Sequence, residues 1–323
     1  MNVVNCVLGP VPTTDLGVTL MHEHLQASST GIPQIYPELL GKGYKERIVK
    51  ALVDVKQAGI STVVDCATID LGRDIRLLAE VSERSGVNVI ACTGWGSELS
   101  HLLGTFTPDQ YAEIFAREVE EGIEGTSFKA GLIKSYADIG GVTPDIEVIL
   151  RGVARAHLRT GTPIILHAYH AQQVARRQLA ILKEEGVDMN RVKVDHILET
   201  TDLEYITWIV EQGVWLGMDK IPNIYLGYGA GVSPAARILT IKAMIDAGYA
   251  KRLLISHDGV VLSSLFDTRP QWELDKIVSD NPYGLLYINK VVLPKLREMG
   301  VSDATIDSIM VDNPRRFFEG ATD

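Results

Sequence analysis

Short runs of apolar and β-branched residues recur along the chain, and most are followed by a longer stretch with helical periodicity. The runs are GVTLMHEH at 17–24, STVVDC at 61–66, VNVIAC at 87–92, SFKAGLIK at 127–134, TPIILHAY at 162–169, RVKVDH at 191–196, GVWLGMD at 213–219 and RLLISHD at 252–258. Segments such as YKERIVKALVDVKQAG, TPDQYAEIFAREVEEGIEG and TPDIEVILRGVARAHLRTG read as helices. The last two open with Thr-Pro-Asp, a cap followed by proline, and close at glycine; SPAARILTIKAMIDAGY opens by the same logic. Eight strand-then-helix units within about 240 residues predict an α/β fold of the (β/α)8 TIM-barrel type. A doubly wound open sheet is the alternative, but no GxGxxG follows the first strand, which weakens its dinucleotide-binding version. No Ser/Pro/Gly linker, repeat or low-complexity tract divides the chain, so residues 1–323 read as one domain. Residues 259–281 form a long connection after the last strand, at the end of a barrel where loops shape the substrate pocket.

The polar residues fall in a pattern on this frame. Alternate side chains of a strand face the same way, so His22 and His24 point together while Met21, Glu23 and Leu25 point elsewhere. Lys134 lies at the end of the fourth run, His167 in the fifth, His196 at the end of the sixth and Asp258 at the end of the eighth. In a barrel the C-terminal strand ends share one pocket. Four histidines, a lysine and an aspartate would therefore converge there. Lys134 follows a very apolar run, where a lone ammonium is costly to bury and needs a partner or a chemical change. His170 rivals His167, but His167 directly follows PIIL at the strand end. His257 and Asp258 are adjacent, so only one of them can face the centre. His101 in a loop and His157 in a helix read as solvated or packed.

A formal net charge of -10 argues against a nucleic-acid partner. The three cysteines, Cys6, Cys66 and Cys92, are widely spaced and read as reduced and structural. No basic leader with an apolar stretch opens the sequence, and no apolar run is long enough to span a bilayer. The expectation is a cytoplasmic protein acting on a small molecule, with no membrane partner.

The pieces GVTLMHEHL, VDCATIDLGRD, GLIK, GTPIILHA, VKVDH, GVWLGMD, LISHD and DNPRRFF together resemble the phosphotriesterase family of the amidohydrolase superfamily. They are collinear and cover nearly the whole chain, and the branch they resemble most is that of the phosphotriesterase-like lactonases. The resemblance implies two divalent metal ions at the strand ends. His22, His24 and Asp258 match the ligands of the more buried metal, and His167 and His196 those of the more exposed one. Lys134 matches a bridging lysine carbamylated by CO2, which would answer its burial problem. A metal-bridging hydroxide is the implied nucleophile, with Asp258 accepting its proton. The mixed histidine and carboxylate-type shell suits Zn, Mn, Co or Fe and does not by itself choose among them; Zn is the expected metal. The family also implies a homodimer.

There are departures. In those lactonases a tyrosine after the third strand approaches the metals; here CTGWGSEL has Trp95 followed by Gly96. After the seventh strand MDKIPNIYLGYGAG places Lys220, with Tyr225 or Tyr228, where a polar or anionic substrate group would be met; otherwise Lys220 is a solvated loop lysine. The run GVVLSSLFDTRPQW offers Val260, Val261, Leu262, Leu265, Phe266 and Trp272 for an acyl chain, with Arg269 as its basic exception. The expected activity is lactone ring opening, N-acyl homoserine lactones first, in a quorum-quenching role with promiscuous organophosphate hydrolysis. Alternatives are a phosphotriesterase or aryl esterase proper, and a phosphorylated sugar lactonase gripping phosphate through Lys220 or arginines. A non-enzymatic binding barrel is disfavoured because all six ligand positions are filled.

Overall fold

The computed structural model describes residues 2–96, 105–222, 231–261 and 279–320. The chain opens with an antiparallel hairpin, β1 (Val3–Cys6) and β2 (Gly9–Pro12). The following strands are β3 (Val18–His24), β4 (Ile60–Asp65), β5 (Asn88–Gly94), β6 (Leu132–Ala137), β7 (Ile164–Ala168), β8 (Val192–Val194), β9 (Trp215–Met218), β10 (Leu253–Ile255) and β11 (Gly259–Val260). Among the described residues these nine form one sheet in the order β10-β9-β8-β7-β6-β5-β4-β3-β11, with each neighbouring pair parallel. Parallel strands require crossovers, and helices supply them. The eighth barrel strand is split. β10 pairs with β9, the chain turns through 256–258, and β11 pairs with β3 at Glu23 and His24. Asp258 N donates to His22 O at 2.9 Å and Val261 N to His24 O at 2.9 Å, which closes the barrel.

The helix starts follow their caps. Thr107 forms a capping box with Gln110 ahead of Pro108, and Thr143 and Ser233 cap the helices that open at Pro144 and Pro234. The helix Pro144–Thr160 ends at Gly161 in the left-handed region, φ 70°.

Two predicted boundaries differ. The fourth barrel strand, predicted at 127–134, runs Leu132–Ala137, so Lys134 lies inside it and not at its end. The residues before it pass under the hairpin: a Cβ on Gly131 would fall 2.4 Å from Asn5 O, and Gly131 N donates to Ala91 O. The connection predicted at 259–281 begins as strand, because Gly259 and Val260 are taken up by β3.

The apolar interior has two parts. Leucine, isoleucine and valine side chains such as Leu52, Val81, Leu150 and Ile206 fill the layer between helices and sheet. Met21, Val64, Cys66, Ile90, Cys92, Leu132, Ile165 and Leu254 belong to a second cluster with the hairpin residues Val4 and Cys6. All three cysteines are buried and free. Among the described residues no helix is long and apolar enough to cross a membrane.

Candidate metal centre

His22 and His24 come from β3, Lys134 from β6 and His167 from β7; His196 follows β8 by two residues and Asp258 follows β10 by three. The structure brings all six together. Asp258 Oδ1 lies 3.4 Å from His22 Nε2 and 3.3 Å from His24 Nε2. His167 Nδ1 and His196 Nε2 are 2.7 Å apart. Lys134 Nζ is 3.4 Å from His22 Nε2 and donates to Cys66 O at 3.1 Å. The ligand atoms of His22, His196 and Asp258 lie within 4.8 Å of one another. His167 is half-buried, and the other five are buried.

Two of these positions depend on unusual backbone. His196 has φ 66° and Asp258 φ 52°, and Lys220, after the strand between them, has φ 59°. Side-chain-bearing residues seldom adopt left-handed conformations, and such strain gathers at functional sites. Here it turns His196 and Asp258 inward just past the strand ends.

The chemistry of the donor set fits divalent cations. Burial pushes the His22 imidazole down to about 4 and holds His167 and His196 well below the usual histidine range, so each ring is neutral with a free lone pair. Burial would raise the Asp258 carboxyl, but His22 and His24 outweigh it and keep it well below the usual carboxylate range. Neutral imidazoles with a carboxylate make a first-row transition-metal donor set.

Carboxylates not singled out in the sequence stand behind the histidines. Asp219 Oδ1 lies 2.7 Å from His196 Nδ1, and its oxygens also accept from His196 N. Asp195 Oδ2 lies 2.8 Å from His22 Nδ1. Such partners orient a ligating ring and choose which nitrogen faces the metal. Their signal was present in the doublets Asp195-His196 and Asp219-Lys220 at consecutive strand ends. Tyr136 was missed too, although it shares a strand face with Lys134. Its ring sits 4.0 Å from that of His167, and its hydroxyl bonds Asp138.

The remaining candidates have definite places. His170 is buried with Nε2 2.7 Å from Asp195 O, away from the ligand cluster. His257 faces Glu23, whose Oε1 lies 2.6 Å from its Nδ1, so Asp258 is the member of that doublet facing the centre. His157 bonds Thr162 O. Trp95 is buried, its N donating to Lys134 O at 3.2 Å and its ring edge-on to Tyr111. Lys220 is no solvated loop lysine: it is buried with Nζ 2.6 Å from Glu199 Oε1. Val260 and Val261 are half-buried beside His24. Tyr225, Tyr228, Leu262, Leu265, Phe266, Arg269, Trp272 and His101 lie outside the described residues.

The chain is similar to known proteins along nearly its whole length. Residues 2–318 match the family model described as the phosphotriesterase family. A "phosphotriesterase homology protein" of Mycobacterium tuberculosis is 37% identical over 98% of this chain and 97% of its own length. An "aryldialkylphosphatase" of Saccharolobus solfataricus is 32% identical over 95% of this chain and 96% of its own. An "N-acetyltaurine hydrolase" of Xenopus tropicalis is 25% identical over 97% of each.

Proposed function

The chain belongs to the phosphotriesterase family and is a metal-dependent hydrolase, and from that premise we propose that it opens lactone rings, N-acyl homoserine lactones first, with slower organophosphate hydrolysis alongside. The observation that carries the hydrolytic reading is the convergence of His22, His24, Lys134, His167, His196 and Asp258 from five barrel strands. In this reading His22, His24 and Asp258 hold one ion, His167 and His196 the other, and a carbamylated Lys134 serves both. Zinc is the proposed metal for a histidine-rich set, with Mn, Co or Fe as alternatives. Two divalent ions held by these residues would lower the pKa of water toward neutral and would act as Lewis acids toward the substrate's C=O or P=O.

The chain's own residues complete the task. Among the described residues Lys134 has no carboxylate within ion-pair distance; its Nζ meets a neutral imidazole and the Cys66 carbonyl. A buried ammonium so placed is costly. Addition of CO2 to the neutral amine forms an N–C bond, releases a proton and leaves a carboxylate where cations need one. Asp258, flanked by two histidines, is the base that takes the proton of the attacking water on a carboxylate oxygen. Trp95 and Lys220 are proposed to border the substrate.

The lactone preference is supported by the apolar residues that follow Asp258, of which Val260 and Val261 stand beside His24. A phosphotriesterase proper is the second reading, favoured by the aryldialkylphosphatase among the relatives. The test is hydrolysis of long-chain acyl homoserine lactones, simple γ- and δ-lactones, a phosphorylated sugar lactone, paraoxon and an N-acetyl amino sulfonate by metal-loaded protein. Acyl-lactone turnover well above the others supports the proposal. A win for paraoxon, the sugar phosphate or the amide overturns the substrate and leaves the hydrolase.

A homodimer is proposed as well, since Ile35, Tyr36 and Leu39 expose apolar surface near one another in sequence. Light scattering decides between one chain and two. Three buried free cysteines suit a reducing, cytoplasmic setting.

A further inference from the structure

Beneath the candidate centre, inside the barrel, lies a lysine that the proposed hydrolysis does not use. Lys193 on β8 is buried; its Nζ donates to Met21 O at 2.7 Å and stands 2.7 Å from Asp195 Oδ1. The other oxygen of Asp195 stands 2.8 Å from His22 Nδ1. Asp195 has room only because residue 217 of β9 is glycine: a Cβ there would fall 2.2 Å from its Oδ1. The main chain of His22 is pinned on both sides, its N donating to Ser256 Oγ at 2.8 Å and its O accepting from Asp258 N at 2.9 Å. A second carboxylate oxygen, Asp219 Oδ2, stands further from His22 Nδ1 at 3.7 Å, so Asp195 is its nearer acceptor.

We propose that Lys193 and Asp195 are positioning residues that set the tautomer of His22, so that Nδ1 carries the hydrogen and Nε2 presents its lone pair to the metal. The inference rests on the binuclear centre proposed for the chain. Lys193 is a cation 2.7 Å from one oxygen of the carboxylate, and this ion pair draws that oxygen to the lysine and leaves the other as a pure acceptor toward His22. A carboxylate can serve both neighbours in this way.

An amide cannot, and that gives the test. In Asp195→Asn, Lys193 holds the amide oxygen and turns the NH2 toward His22 Nδ1. The ring must then carry its hydrogen on Nε2, where the metal should bind. In the double variant Lys193→Met/Asp195→Asn the amide is free to flip, its oxygen again accepts from Nδ1, and Nε2 is released. A purely space-filling role predicts no such rescue.

The readout is cobalt(II) titration of metal-free protein, followed by visible absorption and by metal per chain after dialysis, with thermal melts of each metal-free variant. Wild type is expected to take up two ions. Asp195→Asn should bind one of them about 10–100-fold more weakly, and the double variant should recover most of that loss. Gly217→Ala, which crowds the carboxylate without changing its charge, should weaken the same ion and carries the comparison if Asp195→Asn does not fold. Unchanged affinity in Asp195→Asn, or in Gly217→Ala where that stands in, overturns the inference alone, as does a loss that the double variant fails to recover. Failure of the wild type to bind two ions overturns the centre and this inference together.

Discussion

Lys220 Nζ lies 2.6 Å from Glu199 Oε1, with the two side chains only 4% and 3% exposed. Burial works against the ammonium, but Asp258 and Glu199 outweigh it and hold Lys220 above the usual lysine range. Its carbonyl in turn accepts from the buried Arg237. Removing one partner strands the other charge out of water, and for a buried pair that costs about 3–5 kcal/mol. Glu199→Gln and Lys220→Met are each expected to lose stability on that scale in urea denaturation of the metal-free protein. The double variant should lose less than the sum, with a coupling of about 1 kcal/mol or more. Single losses below about 1 kcal/mol would show that the pair does not hold this turn.

Lys134 presents the opposite case, a buried lysine whose partners among the described residues are neutral only. Lys134→Ala is expected to lower turnover by more than about a hundredfold, since removing a partner that merely orients a ligand already costs 10–100-fold. The metal-free variant should be no less stable toward urea than wild type, because a costly buried charge goes with the side chain. Reloading of metal-free wild type should be faster with bicarbonate than in CO2-free buffer. Equal reloading rates would count against the carbamate and leave Lys134 as an ordinary donor.

Gly94 fixes the level at which Lys134 stands. It pairs with Lys134 across β5 and β6, and its φ is +109°. A Cβ there would come 2.0 Å from Lys134 O and 2.7 Å from Lys134 N, and backbone cannot yield as a side-chain tip can. Gly94→Ala is therefore expected to cost about 1–3 kcal/mol and to reduce metal per chain. Gly86→Ala is the control: φ is +69° there too, but a Cβ would meet nothing within 4 Å. Its cost should be about 1 kcal/mol or less, with metal content unchanged. Equal effects from the two would mean that backbone strain, and not contact with Lys134, sets the penalty.

The barrel and the convergence of six polar side chains were legible because strand runs and strand-end polar residues are local signals. What stayed hidden arose where local rules break. Strand alternation would put Asp195 and His196 on opposite sides, yet both reach inward, because β8 ends at Val194 and His196 turns left-handed. Glu23 does face away from His22 and His24, but it is not idle. It accepts from Ser256 Oγ, His257 N and Gly259 N, and so joins the last strand to the first. No spacing along β3 reports a partner more than two hundred residues away. Lys193 escaped notice because a lysine in an apolar strand is indistinguishable from a solvent-facing one until its carbonyl and carboxylate partners are known.

The same buried polar layer makes the metal-free protein sensitive to acid. His170 is buried with Nε2 donating to Asp195 O, while among the described residues Nδ1 has no hydrogen-bond partner. Protonation would bury an N–H with no acceptor, and burial accordingly moves this imidazole from an ordinary 6.5 down to about 4. The sign follows from linkage. Between those values the unfolded chain binds a proton that the folded chain does not, so acid favours unfolding. The contribution of neutral His170 is fully present above about pH 6.5 and is lost as pH falls toward about 4, about 3 kcal/mol at most. His170→Gln keeps a donor for Asp195 O and removes the titration. Urea unfolding of metal-free protein at about pH 7 and about pH 4.5 should then show a smaller acid loss in the variant, by about 1–3 kcal/mol. His22, also moved down to about 4, stays in place and should leave a residual acid loss. An identical loss in variant and wild type would mean that His170 does not stay neutral in the folded chain over that range.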